Sequence, residues 1–113
     1  MAEKTTAGST ELDAKIEAWR KEHGEIAVFR TRHGVIVARP AEQVAFERFF
    51  DKAGNDKVST AAALRELAFS AVLYPEHDKV VAIVQRLPAL AGKIGNAVVA
   101  MGGSDIEGEI LKV

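Results

Sequence analysis

The sequence predicts an α+β fold that is mostly helical, with one β-hairpin packed against about five short helices. A stretch rich in valine, isoleucine and phenylalanine around His33-Gly34 is typical of two strands joined by a tight turn. On either side, apolar residues recur at the spacing of amphipathic helices. Tyr74-Pro75 and Leu87-Pro88 divide the second half of the chain into separate helices, because proline disfavours a helical residue before it.

The composition is that of a small globular protein. The length of 113 residues predicts one domain, residues 10–103, with a flexible start, 1–9, and a C-terminal tail, 104–113. The formal net charge of −1 gives no overall field that favours nucleic acid or a membrane surface. No apolar run approaches the ~20 residues that span a bilayer, and no apolar leader begins the chain. The absence of cysteine excludes disulfides and thiol catalysis and fits a reducing compartment.

The helices are expected both before and after the hairpin. The first should cover residues 10–23, with Thr10 as its N-cap. The approximate ranges of the other four are 41–53, 59–73, 75–87 and 89–101. Each of these four carries an apolar stripe, such as Phe46, Phe49 and Phe50 in the second helix, so together they should supply most of the core.

The hairpin separates two kinds of side chain. With His33-Gly34 as the central pair of the turn, Thr31 faces Ile36 and Phe29 faces Ala38 on a small apolar face. The other face interleaves three arginines with valines: Val28, Arg30, Arg32, Val35, Val37 and Arg39. This face is compatible with gripping phosphates or an acidic partner, with docking a protein, or with a solvated surface whose charges prevent edge-to-edge aggregation.

The tail mixes acidic and apolar residues without a clear helical face. Its apolar members are Ile106, Ile110, Leu111 and Val113. They fit either a strap that packs onto the domain or a strand that pairs only in a complex. We therefore take Ile106, Ile110 and Leu111, together with the arginine-valine face of the hairpin, as the candidate partner-binding residues.

No catalytic or cofactor-binding constellation emerges from the sequence. His23, His33 and His77 lack partners at metal-ligand spacing. The G-x-S-x-G, phosphate-loop and G-x-G-x-x-G patterns are absent. We expect a protein that is not an enzyme and that uses no metal or other cofactor.

A pattern of corners and flanking residues runs through most of the chain. It consists of Ala38-Arg39-Pro40, Glu42, Phe46, Phe49, Val72-Leu73-Tyr74-Pro75, Leu87-Pro88-Ala89-Leu90, Ile94 and Gly102-Gly103. This pattern, within residues 25–103, resembles the tail assembly chaperones and related small tail-gene proteins of long-tailed bacteriophages. The resemblance implies a non-enzymatic chaperone in the host bacterial cytoplasm, which keeps the tape measure protein or tail tube subunits soluble and assembly-competent.

Two other interpretations stay open at this point. The first is a structural virion protein built into the tail or baseplate, with neighbouring virion subunits as its partners. The second is a small regulatory or nucleic-acid-binding module that acts through the arginine face. On the leading interpretation the partners are tail proteins, with further copies of the chain also possible, and neither nucleic acid nor a membrane is involved.

Overall fold

The computed structural model describes residues 6–104 and 106–112. These residues form five α-helices and one three-stranded antiparallel sheet, which confirms the predicted α+β, mostly helical class. The helices are α1 (Thr6–His23), α2 (Gln43–Ala53), α3 (Thr60–Ser70), α4 (His77–Arg86) and α5 (Leu90–Val99). The strands are β1 (Ala27–Thr31), β2 (Gly34–Ala38) and β3 (Val72–Tyr74), and a π-helical turn, Ala100–Ser104, follows α5. None of the described helices is long and apolar enough to cross a membrane.

The hairpin turn lies one residue earlier than predicted. Arg32 and His33 are its central residues, and Thr31 pairs with Gly34. The Thr31 hydroxyl donates to the Gly34 carbonyl at 2.6 Å and accepts from the His33 amide at 3.1 Å. Gly34 has a φ of +139°, which residues with a side chain rarely adopt. The predicted register was therefore wrong, but cross-strand partners shift by two residues, so each side chain within β1 and β2 stays on its predicted face.

The third strand was not predicted. Residues 72 and 73 were expected to end the third helix, but α3 stops at Ser70. β3 pairs antiparallel with β2, with Tyr74 opposite Val37, and this places β2 at the centre of the sheet. Pro75 disfavours helical geometry in the residue before it, and β-branched Val72 favours a strand, so the same corner that ends the helix also supports an extended segment.

Other boundaries also differ from the prediction. α1 begins at Thr6, so Thr10 lies inside the helix and is not its N-cap. Of the expected flexible start, residues 1–5 lie outside the described residues and 6–9 are helical. α4 begins at His77, with Glu76 as its N-cap, two residues later than the proline corner indicated.

The core lies between one face of the sheet and the helices α3, α4 and α5. From β2 come Ile36 and Ala38, neither of which is accessible to solvent. The helices and their ends contribute Leu67, Ala68, Ala71, Val80, Ile83, Val84, Leu90, Ala91, Ile94 and Val98. Among the residues with described side chains, none that is buried is polar or charged. Apolar burial and close packing therefore hold this core together.

Two contacts fix how the helices sit on each other. Gly95 of α5 lies directly against Leu64 of α3, where an added Cβ would approach the Leu64 carbonyl oxygen to 2.9 Å. At the edge, α2 packs on α3, and Lys52 Nζ donates to Glu66 Oε1 at 2.6 Å. α3 itself starts at Ser59, whose hydroxyl accepts from the Ala62 amide at 3.0 Å and satisfies a free donor of the first turn.

Candidate partner-binding surface

The arginine-valine face of the hairpin is not an open surface. Val28, Arg30, Val35 and Val37 do lie on one face of the sheet, and Tyr74 of β3 lies beside Val37 on that face. Val37 is fully buried, and Val28 and Val35 are half-buried. Only Arg30 of these four hairpin residues is exposed.

Helix α1 covers this face. Asp13 Oδ1 lies 3.9 Å from Arg30 Nη2, and the Trp19 ring lies 6.3 Å from the Tyr74 ring. Leu12 and Ile16, at helical spacing with Trp19, are also half-buried. The sheet is thus covered on both faces, by the core helices on one and by α1 on the other. The partner-binding role of its valines stays a prediction, and it would require α1 to move.

The other two predicted arginines lie apart from Arg30. Arg39 follows β2 and is half-buried, and its Nη1 donates to the Pro40 carbonyl at 3.0 Å. Arg32 is exposed at the hairpin turn, where it lines a cavity with Arg86 and Lys93. The three arginines therefore do not converge on a single phosphate-sized site.

The predicted tail residues are the most exposed large apolar side chains among those described. Ile106, Ile110 and Leu111 are 76%, 86% and 82% exposed. The described tail contains no helix or strand after the π-helical turn. Three such side chains in six positions form an apolar segment that the domain does not cover.

Helix α2 presents a second exposed apolar surface, which sequence reasoning missed. No residue of α2 is fully buried, and Phe50 is 63% exposed. Phe46 and Phe49 pack against the core, while the Phe50 ring lies 6.1 Å from the Phe46 ring and 5.4 Å from that of Phe49. The signal in the sequence that could have indicated this exposure was the position of the helix in the chain. A helix at the edge of a small core cannot bury three phenylalanine side chains.

The exposed surface of α2 and the tail adjoin each other. The Phe46 ring packs on Gly102 so closely that a Cβ at that position would collide with it. Gly102 belongs to the π-helical turn from which the tail departs, and the Ile106 amide donates to the Gly103 carbonyl at 3.1 Å. The aromatic stripe of α2 is therefore in contact with the base of the apolar tail.

Among the residues with described side chains, no polar or charged residue is buried, so these groups lie at the surface. No group of three or more histidine, aspartate or glutamate side chains within this part of the chain is placed to hold a metal ion. On α1, the hydrogen bond from the Arg20 guanidinium holds the pKa of the Glu17 carboxyl below its ordinary value of 4.5. The same bond raises the pKa of Arg20.

Comparison with known proteins identifies a solved structure with a similar fold and the family of this chain. The solved structure of the uncharacterised protein rbstp2171 from Bacillus stearothermophilus has a TM-score of 0.63 with this chain. The similarity covers 84% of this chain and 98% of that one at 12% sequence identity, and it concerns the fold alone. No curated protein matches the sequence. The family model described as a domain of unknown function, DUF6848, matches residues 30–110, from the hairpin into the tail. The chain belongs to the DUF6848 family.

Proposed function

We propose that this protein is a non-enzymatic tail assembly chaperone of a long-tailed phage, acting in the host bacterial cytoplasm. It would hold the tape measure protein or tail tube subunits in a soluble, assembly-competent form. The observation that carries the proposal is the exposed apolar surface formed by Phe50 of α2 and by the tail residues Ile106, Ile110 and Leu111.

This surface has the chemistry that a holding chaperone needs. Exposed patches of large apolar side chains mark sites where another protein is bound. Here they are interrupted by charged residues, with Glu47 and Asp51 beside Phe50 and Glu107 and Glu109 between the tail residues. Charges of this kind keep the free protein soluble while leaving the apolar side chains available. The proline corners that resemble those of tail assembly chaperones support the same proposal.

Co-expression with the tape measure protein and the tail tube protein of the same phage tests the proposal. We expect a soluble complex with one of them and insoluble client when the chaperone is left out. Phe50→Ser should reduce recovery about tenfold or more, because burying a phenylalanine side chain contributes roughly 1.5–3 kcal/mol. Gln85→Ser, at an exposed position of α4 outside this surface, is the matched control and should leave recovery unchanged. Failure of both clients to be bound or solubilised would refute the chaperone.

The composition of purified particles decides between the chaperone and a permanent tail or baseplate subunit. A chaperone should be absent from mature virions when they are analysed by quantitative mass spectrometry. Detection in a fixed ratio to tail proteins would refute the chaperone function. It would support a structural protein whose partners are the neighbouring virion subunits.

A further inference from the structure

A basic cavity lies where three separate elements meet. Arg32 comes from the hairpin turn, Arg86 from the end of α4 and Lys93 from the first turn of α5. Between them is an open cavity of about 370 Å³, whose apolar lining includes Leu87 and Pro88. The cavity thus combines three cations, distant in sequence, with an apolar floor.

The charges of this cavity are not balanced locally. Within residues 6–104 and 106–112, no carboxylate lies within 4.0 Å of the side-chain nitrogens of Arg32, Arg86 or Lys93. None of the residues that line the cavity is acidic. Three like charges around one opening repel each other, so a bound carboxylate would relieve this repulsion as well as form ion pairs.

The tail of this chain has the complementary chemistry. In an extended segment alternate residues point the same way, so Glu107, Glu109 and Leu111 share one side. Residues 109 and 111 of an extended chain are ~6.6 Å apart, so one segment can contact both the cations and the apolar lining of a cavity of about 370 Å³. Glu109 among the three cations would therefore bring Leu111 to the apolar floor.

The tail does not occupy the cavity of its own molecule. Within the described part of the chain, none of residues 106–112 lines the cavity, and Ile106, Ile110 and Leu111 are exposed. The cavity lies at the Leu90 end of α5, and the tail departs from Ser104 beyond the other end. The cavity and the tail of one molecule are therefore both open to a second copy.

We propose that the acidic-apolar tail of one copy docks in the basic cavity of a second copy. The Glu109 carboxylate pairs with Arg86, Arg32 and Lys93 of the other molecule, and Leu111 covers Leu87 and Pro88. This contact goes beyond the chaperone role and does not depend on it, since it requires no phage partner. It gives Arg32 a binding role in the cavity, whereas the sequence had placed Arg32 on one face with Arg30.

Sedimentation of the full-length chain tests the contact. We expect the average mass to rise with protein concentration at low salt and to fall when salt is added, because exposed ion pairs are screened. Arg86→Glu and Glu109→Arg should each weaken association about tenfold or more, and the double variant should regain it. Arg48→Glu, an exposed arginine of α2 outside the cavity, is the matched control and should leave association unchanged. A chain that stays monomeric, or that associates with equal strength in all variants, overturns the proposal.

A mixing experiment separates docking between copies from docking within one. The chain has no cysteine, so Lys112→Cys provides a single site for a spin label at the end of the tail. The spin-labelled copy is mixed with an isotope-labelled copy that carries no spin label. The amide signals of residues 86–93 in the isotope-labelled copy should then broaden. Absence of broadening there contradicts a contact between copies. A chain that carries both labels, diluted with unlabelled chain, reports docking within one molecule, and broadening that appears only in that sample also overturns the proposal.

Discussion

Replacing Gly95 by alanine tests the close contact between α3 and α5. Gly95 is buried where α5 meets α3. An added Cβ would lie 2.5 Å from Leu64 Cγ, 2.8 Å from its Cδ1 and 2.9 Å from its carbonyl oxygen. The leucine side chain can rotate, but the carbonyl belongs to the backbone of α3. The two helices must therefore separate to admit even a methyl group.

The net effect follows from two opposing contributions. Overpacking a core costs about 1–3 kcal/mol. Alanine in place of a helical glycine returns about 1 kcal/mol. Because the Leu64 carbonyl cannot rotate away, the upper part of the overpacking range applies, about 2–3 kcal/mol, and we expect Gly95→Ala to lower the free energy of unfolding by about 1–2 kcal/mol. With an unfolding entropy of about 2.1 cal/mol/K per residue, each kcal/mol shifts the Tm of a 113-residue chain by about 4 °C. The Tm should therefore fall by about 4–8 °C.

Gly92 provides the matched control on the same helix. A Cβ at Gly92 would meet no heavy atom within 4 Å. Gly92→Ala should thus gain helix propensity without a collision, and raise the Tm by up to about 4 °C. Thermal and urea unfolding followed by circular dichroism measure both variants. If the two alanines shift stability in the same direction, α3 and α5 do not approach as described and the reasoning fails.

Three further predictions concern the cap, the core and the surface. Ser59→Ala removes the hydroxyl that caps α3 and should lower the free energy of unfolding by about 1 kcal/mol in urea titrations. Thr60→Ala is its control, and an equal loss of stability in both variants would argue against the cap. Ile94→Ala, at a side chain with no exposed surface, should cost about 2–5 kcal/mol in the same assay, and a cost below 1 kcal/mol would contradict its burial. Glu17 has a lowered pKa in the folded protein, so its contribution to stability is present above pH 4.5 and is lost as the pH falls through the folded pKa. Its carboxyl carbon signal should titrate with a midpoint below 4.5 and move back toward that value in Arg20→Gln, while an unshifted midpoint would exclude the pair.

Local signals in the sequence were sufficient for much of the fold. The apolar spacing and the prolines located α4 and α5, and Ile83, Ile94 and Val98 on these two helices are all buried. The hairpin was recognisable from its composition. Its register was not, because a Thr31 hydroxyl that closes the turn competes with the more familiar glycine signal at position 34.

Features that depend on distant contacts could not be foreseen. β3 is three residues long and gains its hydrogen bonds only from β2, more than thirty positions away. The cover that α1 places over the hairpin depends on Trp19 meeting Tyr74, which no spacing rule predicts. The basic cavity likewise joins Arg32 to Lys93 through the packing of the hairpin turn against α4 and α5.

The way α1 is attached has a consequence for local stability. The Asp13–Arg30 ion pair joins exposed groups and contributes at most about 1 kcal/mol. The apolar residues of α1 that face the sheet, Leu12, Ile16 and Trp19, are only half-buried. Detachment of α1 should therefore require much less free energy than unfolding of the core, and the amide hydrogens of α1 should exchange long before those of α5. While α1 is detached, the hairpin face beneath it is exposed. The fraction of molecules in this open state should be small and should depend on temperature. The accessibility of this face is set by the rate and extent of that opening and not by the area exposed in the closed structure.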